Sequence, residues 1–196
     1  METERSKTRK ILVTTSRRPT NRLRSFCRDL AHSLPNTVRV NRGKMSFESL
    51  AEKALELDAD RAILVDRWKG GPGKIEFFRL KEGLKLVPPL IYLKGVKLRR
   101  EFETEIRRVQ AVAIAASSDK DIELQKLADA LSDFLQLPKK DVQTLKQTQK
   151  AKRKTALYVS RGKDGQIQLT FMLVPAWVEA GPRMRLSHLI WDVEKA

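Results

Sequence analysis

The chain has 196 residues and carries 40 lysines and arginines against 24 acidic residues, which gives a formal net charge of +16. Hydrophobic residues still make up 41% of the sequence, so the charge leaves enough apolar residues for a core and excludes a wholly disordered chain. One cysteine, Cys27, excludes an internal disulfide, and with only His32 and His188 beside it the chain lacks the ligands of a zinc site, so we expect no metal.

The first 66 residues predict alternating strands and helices. Residues 11–13 favour a strand, and the apolar residues after Pro19, which suits a first helical turn, recur at the spacing of one helix face. Residues 37–40 then favour a short strand, and a second helix capped by Ser46 leads to a strand at 62–65 that is apolar on both faces. The order β-α-β-α-β is typical of a parallel sheet.

The middle of the chain is less regular. A glycine-rich turn at 68–73 leads into a hairpin strand at 75–80. A pair of prolines then excludes a helix, and a basic stretch follows. We expect residues 94–108 to form a crossover between two parts of the molecule.

The pattern restarts after this crossover. Residues 111–116 favour a buried strand, and a helix over 120–136 follows a Ser-Ser-Asp cap at 117–119. Further strands are predicted at 156–159, 167–173 and 184–193. Since both parts begin with an apolar strand that leads into a helix, the sequence is compatible with an internal duplication.

No segment is apolar for long enough to be a targeting or membrane segment. The run at 11–13 is shorter than the core of about 7 to 15 residues in a signal peptide. No later run approaches the roughly 18 apolar residues of a membrane helix. We therefore expect a soluble, cytoplasmic protein without a membrane partner.

Positive charge concentrates in two segments. Residues 1–44 hold 12 basic residues against 3 acidic ones, and residues 139–154 hold 7 against 1. Such concentration is typical of a nucleic-acid-binding surface, although residues 139–154 are also compatible with a solvated linker. The helix predicted at 120–136 is instead acidic, so we expect the first part to carry most of any RNA binding.

Three cationic loops are predicted to converge. In a parallel sheet, the loops that follow the strands meet at one edge, which is where such folds bind ligands. Here those loops are residues 16–18, 41–44 and 67–69, and all three are basic. Arginine suits bidentate phosphate contact, so this edge is a candidate phosphate-binding site.

The first helix extends this candidate site. Arg17, Arg24 and Arg28 fall on one stripe of the helix, and Asp29 is the only acid nearby in sequence. We expect Arg17 and Arg42 to be exposed at the loop edge. The alternative interpretation is an ordinary solvated helix face, which usually includes more acids.

Sequence patterns for catalysis do not fit. The glycines at 70–73 differ from a phosphate loop, because the first glycine of that pattern falls on Trp68 and a strand follows. Two aspartate pairs have the composition of a Mg²⁺ site but lie at predicted helix boundaries, where aspartate is an ordinary cap. The pairs are Asp58 with Asp60 and Asp119 with Asp121. We predict no catalytic residues and no cofactor.

Short motifs in the first part are specific in combination. They are Ser16-Arg17-Arg18-Pro19-Thr20, Leu23 with Phe26, Leu34-Pro35-Asn36 and Arg39-Val40-Asn41-Arg42-Gly43-Lys44. Together they resemble the Brix domain family of ribosome-biogenesis proteins. Residues 181–186 (GPRMRL) are similar to the Gly-Pro-Arg element near the end of that domain. One departure is that 77–83 reads FFRLKEG where many eukaryotic members have a Gly-Pro-Thr element.

The resemblance implies an α/β protein, a single Brix domain over residues 1–196 without appended tails, as in archaeal members. It implies two similar α/β halves, at about 10–93 and 109–196. Each half would be a mixed sheet with packed helices, similar to the anticodon-binding domain of class IIa aminoacyl-tRNA synthetases. The implied function is binding of pre-ribosomal RNA during rRNA processing and subunit assembly, with other ribosome assembly proteins as further partners.

The candidate RNA-binding residues come from the family motif and from the charged first helix. They are Ser16, Arg17, Arg18, Arg22, Arg24, Arg28, Arg42, Gly43, Lys44 and Arg183. The alternative function is a protein-interaction scaffold within pre-ribosomal particles that touches RNA only incidentally. A nuclease is a third interpretation.

Overall fold

The computed structural model describes residues 9–103, 109–148 and 154–193. The helices and strands are, in chain order, β1 (Lys10–Thr15), α1 (Asn21–Ser33), β2 (Thr37–Arg39), α2 (Phe47–Glu56), β3 (Ala59–Trp68), β4 (Gly71–Lys81), β5 (Gly83–Lys97), β6 (Gln110–Ala116), α3 (Ile122–Leu135), α4 (Val142–Lys146), β7 (Lys154–Arg161), β8 (Ile167–Leu173), β9 (Val178–Glu179) and β10 (Arg183–Ile190). A short 3-10 turn at Arg99–Glu101 follows β5. Among the described residues, one ten-stranded sheet runs β2-β1-β3-β4-β5-β10-β8-β7-β6, with β9 beside β8.

The first part has the predicted β-α-β-α-β order. β1 pairs in parallel with β2 on one side and β3 on the other. Ser46 caps α2 as predicted and accepts a hydrogen bond from the Ser49 amide at 3.1 Å. Pro19, however, precedes α1, whose cap is Thr20. Because both helices follow parallel strands, their N-termini lie at the edge where β1 and β2 end.

The expected crossover is partly strand. β5 continues to Lys97, pairs with β4 on one side and pairs with β10 on the other. Pro88 and Pro89 lie where the register between β4 and β5 shifts. A proline lacks an amide donor, so it is tolerated in a strand at such an irregularity. The sheet is therefore continuous past both prolines and into the first residues of the expected crossover.

The last part begins with β6, which pairs in parallel with β7. The cap of α3 is Asp121, whose side chain accepts from the Leu124 amide at 3.2 Å, so the prediction of a cap at 117–119 is wrong. The segment at 139–154 is not simply a loop, because it contains α4, whose Leu145 is buried. Residues 149–153 of that segment lie outside the described residues.

The main core lies on the sheet face that packs against α1 and α3. It joins Phe26 and Leu30 of α1 to Leu127 and Leu131 of α3 across Ile91 of β5. On the opposite face, α2 and α4 form smaller clusters with the sheet strands nearest to them. The first and last parts of the chain thus share one hydrophobic core.

Cys27 lies in this core, as its place on the apolar face of the first helix indicated. Its thiol is fully buried and points at the Thr14 carbonyl oxygen at 3.6 Å. Burial raises the pKa of the Cys27 thiol to about 12. Since the thiolate is the reactive form, this side chain packs as a small apolar group.

A buried arginine joins the two parts. Arg61 of β3 is 1% exposed and donates to the Phe134 carbonyl at 2.6 Å, near the end of α3. It also donates to the Arg9 carbonyl at 3.1 Å and the Gln136 side chain at 3.2 Å. Asp60 accepts from its Nε at 2.8 Å. Each of its guanidinium nitrogens therefore has a hydrogen-bond partner.

Candidate functional site

The ends of β1 and β2 and the start of α1 enclose a cavity of about 490 Å³. We call it the arginine cavity. Its lining includes four arginines, Arg18, Arg24, Arg39 and Arg42, together with Gly43. None of the described residues that line it is acidic. A concave site with several guanidinium groups and no carboxylate attracts anions.

Arg42 is the most unusual side chain of this site. It is only 4% exposed, so the expectation that it lies exposed at the loop edge is wrong. Its guanidinium lies over the Phe47 ring, 4.7 Å from the centroid. Within the described residues, its Nε and Nη1 have no hydrogen-bond partner. Burial, and then the charge of Arg17, lowers the pKa of Arg42.

An incompletely bonded buried guanidinium is costly to the protein alone. A buried donor without a partner costs about 1 to 3 kcal/mol, and more when it is charged. An anion that enters the arginine cavity would supply acceptors for these N–H groups through charge-assisted hydrogen bonds. Ser16 has a second buried atom of this kind, because its Oγ also lacks a partner among the described residues.

Arg24 and Arg39 are oriented by hydrogen bonds to neutral groups and are not neutralised by them. Arg24 donates to the Asn21 side-chain oxygen at 3.2 Å, and Arg39 donates to that of Asn41 at 2.7 Å. Both acceptors are neutral amides, so they orient the guanidinium groups and leave their charge available. Gly43 adopts φ 55°, the left-handed conformation in which glycine is favoured.

Sequence analysis missed Arg39. It ends β2, and the parallel register places it opposite Val13 of β1, at the mouth of the arginine cavity. The available signal was its place in the motif at 39–44. Without the strand register, nothing in the sequence separated it from an ordinary exposed arginine of a short strand.

The structure does not bring all the predicted residues together. Arg22 points away from the arginine cavity, donating to the Val96 carbonyl at 2.7 Å and to the Glu101 carboxylate at 3.2 Å. Arg183 lies at the start of β10, in an ion pair with Glu179. Both arginines therefore have structural partners, and their contact with RNA stays a prediction.

Other predicted residues flank the arginine cavity. Arg17, Arg28 and Lys44 are exposed, and none of the three is among the residues that line it. Ser16 is half-buried at the end of β1. These residues lie on the same loops and helix as the cavity arginines, so they widen its positive surroundings.

The third predicted loop meets the first one. Arg67 donates through Nη1 to the Arg18 carbonyl at 3.4 Å, and the Thr20 hydroxyl donates to the Gly70 carbonyl at 2.8 Å. The turn between β3 and β4 is thereby tied to the loop after β1. Trp68, next to this turn, is 68% exposed.

The aspartates considered for Mg²⁺ have other partners. Asp60 bonds Arg61, and Asp121 both caps α3 and bonds Arg161 at 2.7 Å. Within residues 9–103, 109–148 and 154–193, no group of three or more His, Cys, Asp or Glu side chains is placed to hold a metal ion. In the same ranges, no helix has the length and apolar character needed to cross a membrane.

Comparison with known proteins identifies relatives of this chain. No protein-family model matches it. A probable Brix domain-containing ribosomal biogenesis protein of Methanopyrus kandleri is 34% identical over 128 residues, 63% of this chain and 65% of that protein. Its counterpart in Pyrococcus horikoshii is 38% identical over 91 residues, 46% of this chain and 41% of that protein. The chain thus spans less than half the length of the Pyrococcus relative that it matches.

The fold agrees with these sequence matches. The crystal structure of a probable ribosomal biogenesis protein from Aeropyrum pernix matches with a TM-score of 0.73 and 29% identity, over 93% of this chain and 99% of that one. The resemblance to the Brix domain family is confirmed. As in that Brix-type structure, the chain is an α/β protein with a large mixed sheet and packed helices. The two Brix motifs at 16–20 and 39–44 supply most of the residues that line the arginine cavity.

Proposed function

We propose that the protein is a ribosome biogenesis factor that binds pre-ribosomal RNA, mainly through phosphates, and assists rRNA processing and subunit assembly. The relatives are named as ribosomal biogenesis proteins, which supports the first element of the proposal. The observation that carries the RNA element is the buried Arg42, which lacks partners for two nitrogens in a cavity lined by three further arginines.

The repeated phosphates of an RNA strand fit this arrangement. The planar guanidinium forks of Arg18, Arg24 and Arg39 match phosphate oxygens bidentately, and the loop backbone approaches closely at Gly43. The N-terminus of α1 adds a partial positive charge at the same edge, with no acidic residue in its first turn. Since RNA presents a phosphate at every nucleotide, several of these groups act on one strand.

We include in this proposal a single domain of two similar halves, at about 10–93 and 109–196. In each half, the first strand pairs in parallel with a later strand, β1 with β3 and β6 with β7. An antiparallel hairpin follows in each, β3 with β4 and β7 with β8. These correspondences support the similarity to the anticodon-binding domain that the family resemblance implies.

The test compares the binding of purified protein to labelled rRNA fragments with its binding to tRNA at about 0.1 M salt. We expect tighter binding to rRNA, and about 10-fold weaker binding by Arg24→Gln, because one phosphate contact contributes about that factor at this salt. Arg28→Gln removes the same charge one helical turn away from the arginine cavity, so it should weaken binding less than Arg24→Gln does.

Two outcomes contradict the proposal. Equal, weak binding of both RNAs by the wild type and both variants would favour the protein-interaction scaffold. Cleavage of labelled rRNA after addition of Mg²⁺ would favour the nuclease. With the proposed function, the RNA remains intact in the presence of the protein and Mg²⁺.

A further inference from the structure

A second cavity lies beside the arginine cavity, on the sheet itself. It has a volume of about 470 Å³ and is lined entirely by residues of β3, β4, β5 and β10. The strand register places Asp66, Lys74, Tyr92 and His188 in one row across these four strands. We call it the aromatic cavity, for the rings described next.

Three rings with a planar face border the aromatic cavity. Tyr92 and His188 stack on each other, with centroids 4.3 Å apart and planes 11° apart. Trp68, which is 68% exposed, lies at the rim. A Cβ at Gly73 would come within 2.1 Å of the Trp68 Cβ, so the glycine is what permits Trp68 to occupy this place. An exposed indole beside a stacked pair offers the flat apolar surface on which nucleobases stack.

The charges of the aromatic cavity differ from those of the arginine cavity. Lys74 pairs with Glu76 at 2.9 Å, and Asp66 accepts from the Arg67 amide at 2.7 Å. These carboxylates offset the nearby cations, so the aromatic cavity does not concentrate phosphate. A neutral, planar and polar group suits it better, and a nucleobase has that chemistry.

A hydrogen bond joins the linings of the two cavities. Arg67 lines the aromatic cavity and donates to the carbonyl of Arg18, which lines the arginine cavity. The hydrogen bond from Thr20 to Gly70 holds the two loops together at the same place. A single strand whose phosphates lie against Arg18 would therefore have the lining of the aromatic cavity next to it, at Arg67.

We infer that the aromatic cavity binds an unpaired nucleobase of a single-stranded RNA segment whose phosphates occupy the arginine cavity. This inference rests on the proposed function. The protein then recognises unpaired RNA in preference to a continuous duplex, in which bases are stacked and paired and cannot enter a cavity in the sheet.

Two probes of equal charge test this inference: a single-stranded ten-nucleotide RNA and an abasic sugar-phosphate oligomer of the same length. We expect the wild type to bind the RNA more tightly. Trp68→Ala should weaken RNA binding about 5- to 150-fold, as expected for loss of one base stack, and leave the abasic oligomer unaffected. Trp68→Phe should restore most of the loss, because it keeps an aromatic face.

Two further variants separate this inference from the proposed function. Arg24→Gln should weaken binding of both probes equally, since it removes a phosphate contact. Ile122→Ala removes an exposed apolar side chain from α3 that lines neither cavity, so it should change the binding of neither probe.

Equal affinity of the wild type for both probes, with Arg24→Gln still weakening both, would overturn the stacking site and leave the proposed function standing. An equal loss for both probes in Trp68→Ala would also overturn it, because the indole would then act through the fold or the phosphates. If neither probe binds the wild type even at 50 mM salt, the proposed function fails and the stacking site fails with it.

Discussion

The carboxyl ends of β1 and β6 are built alike but carry different charge. Each ends beside the N-terminus of a long helix and borders a cavity, of about 490 Å³ at β1 and about 430 Å³ at β6. The cavity at β6 is lined by Asp119 and Asp141 as well as Lys139 and Lys140. Lys139 also donates a hydrogen bond to Asp129 at 2.5 Å. The common topology supplies two similar edges, and the side chains determine which edge attracts an anion.

The two buried arginines show the same contrast at the level of single residues. Arg61 and Arg42 are 1% and 4% exposed. Arg61 has acceptors for all its nitrogens, whereas Arg42 lacks them for two. A buried charge with complete hydrogen bonding contributes to the structure, whereas one with incomplete bonding still has donors to offer to a ligand.

The largest effect that we expect is that of salt. If the edge at β1 neutralises about 6 to 10 phosphates, RNA affinity should fall about 10³- to 10⁵-fold between 50 and 200 mM salt. Titrations with one rRNA fragment at several salt concentrations measure this slope. An affinity that does not change with salt would contradict phosphate binding at the β1 edge. The proposed difference between the two edges would then have no support.

Matched double variants compare the two edges directly. Arg18→Gln with Arg24→Gln should lower RNA affinity about 10²-fold at 0.1 M salt and reduce the salt slope by about 2. Lys139→Gln with Lys140→Gln removes the same charge from the other edge and should lower affinity less than about 5-fold, because Lys139 is already paired and carboxylates line that edge. Equal losses would place RNA at both edges.

The two buried arginines should differ in stability measurements. Arg61→Met should lower the free energy of unfolding by about 3 kcal/mol, because it leaves the buried Phe134 carbonyl and other acceptors without a hydrogen-bond donor. Arg42→Met should change it by less than about 1 kcal/mol, since Met keeps contact with Phe47 and removes unsatisfied donors. Urea unfolding measures both, and a large loss in Arg42→Met would make that arginine structural.

The smallest effect is expected at Arg17. Its side chain is exposed and does not line the arginine cavity, so Arg17→Ala should shift stability by less than about 0.5 kcal/mol. It should weaken RNA binding, but less than Arg24→Ala does, because it supplies only nearby charge. If Arg17→Ala has the larger effect on affinity, the RNA path runs outside the arginine cavity.

Local patterns predicted the first part of the fold well. The spacing of Leu23, Phe26 and Leu30 was sufficient for α1, and Ser46 was sufficient for the start of α2. β5 was harder, because Pro88 and Pro89 weaken a strand signal that pairing on both edges overrides. The helix α4 was not predicted, because its sequence is mostly basic and polar. Its buried residue, Leu145, packs against β6 and β7, and this contact cannot be seen in the local sequence.

The candidate site shows the same limit. The motifs identified Arg18, Arg42 and Gly43, which do line one cavity. The burial of Arg42 beneath Phe47 and the place of Arg39 depend on packing and register. Arg22 is turned away by Glu101, a residue 79 positions later. Partners so distant in sequence leave no local trace.

The pairing of β5 also constrains how the chain folds during synthesis. Its second edge pairs with β10, the last of the described strands, and Leu90 lies opposite Ile190. When the first part leaves the ribosome, β5 therefore carries an open row of amide and carbonyl groups until about a hundred more residues are made. Nascent chains are open to edge-to-edge association during this interval, and completion of the sheet by β10 ends it.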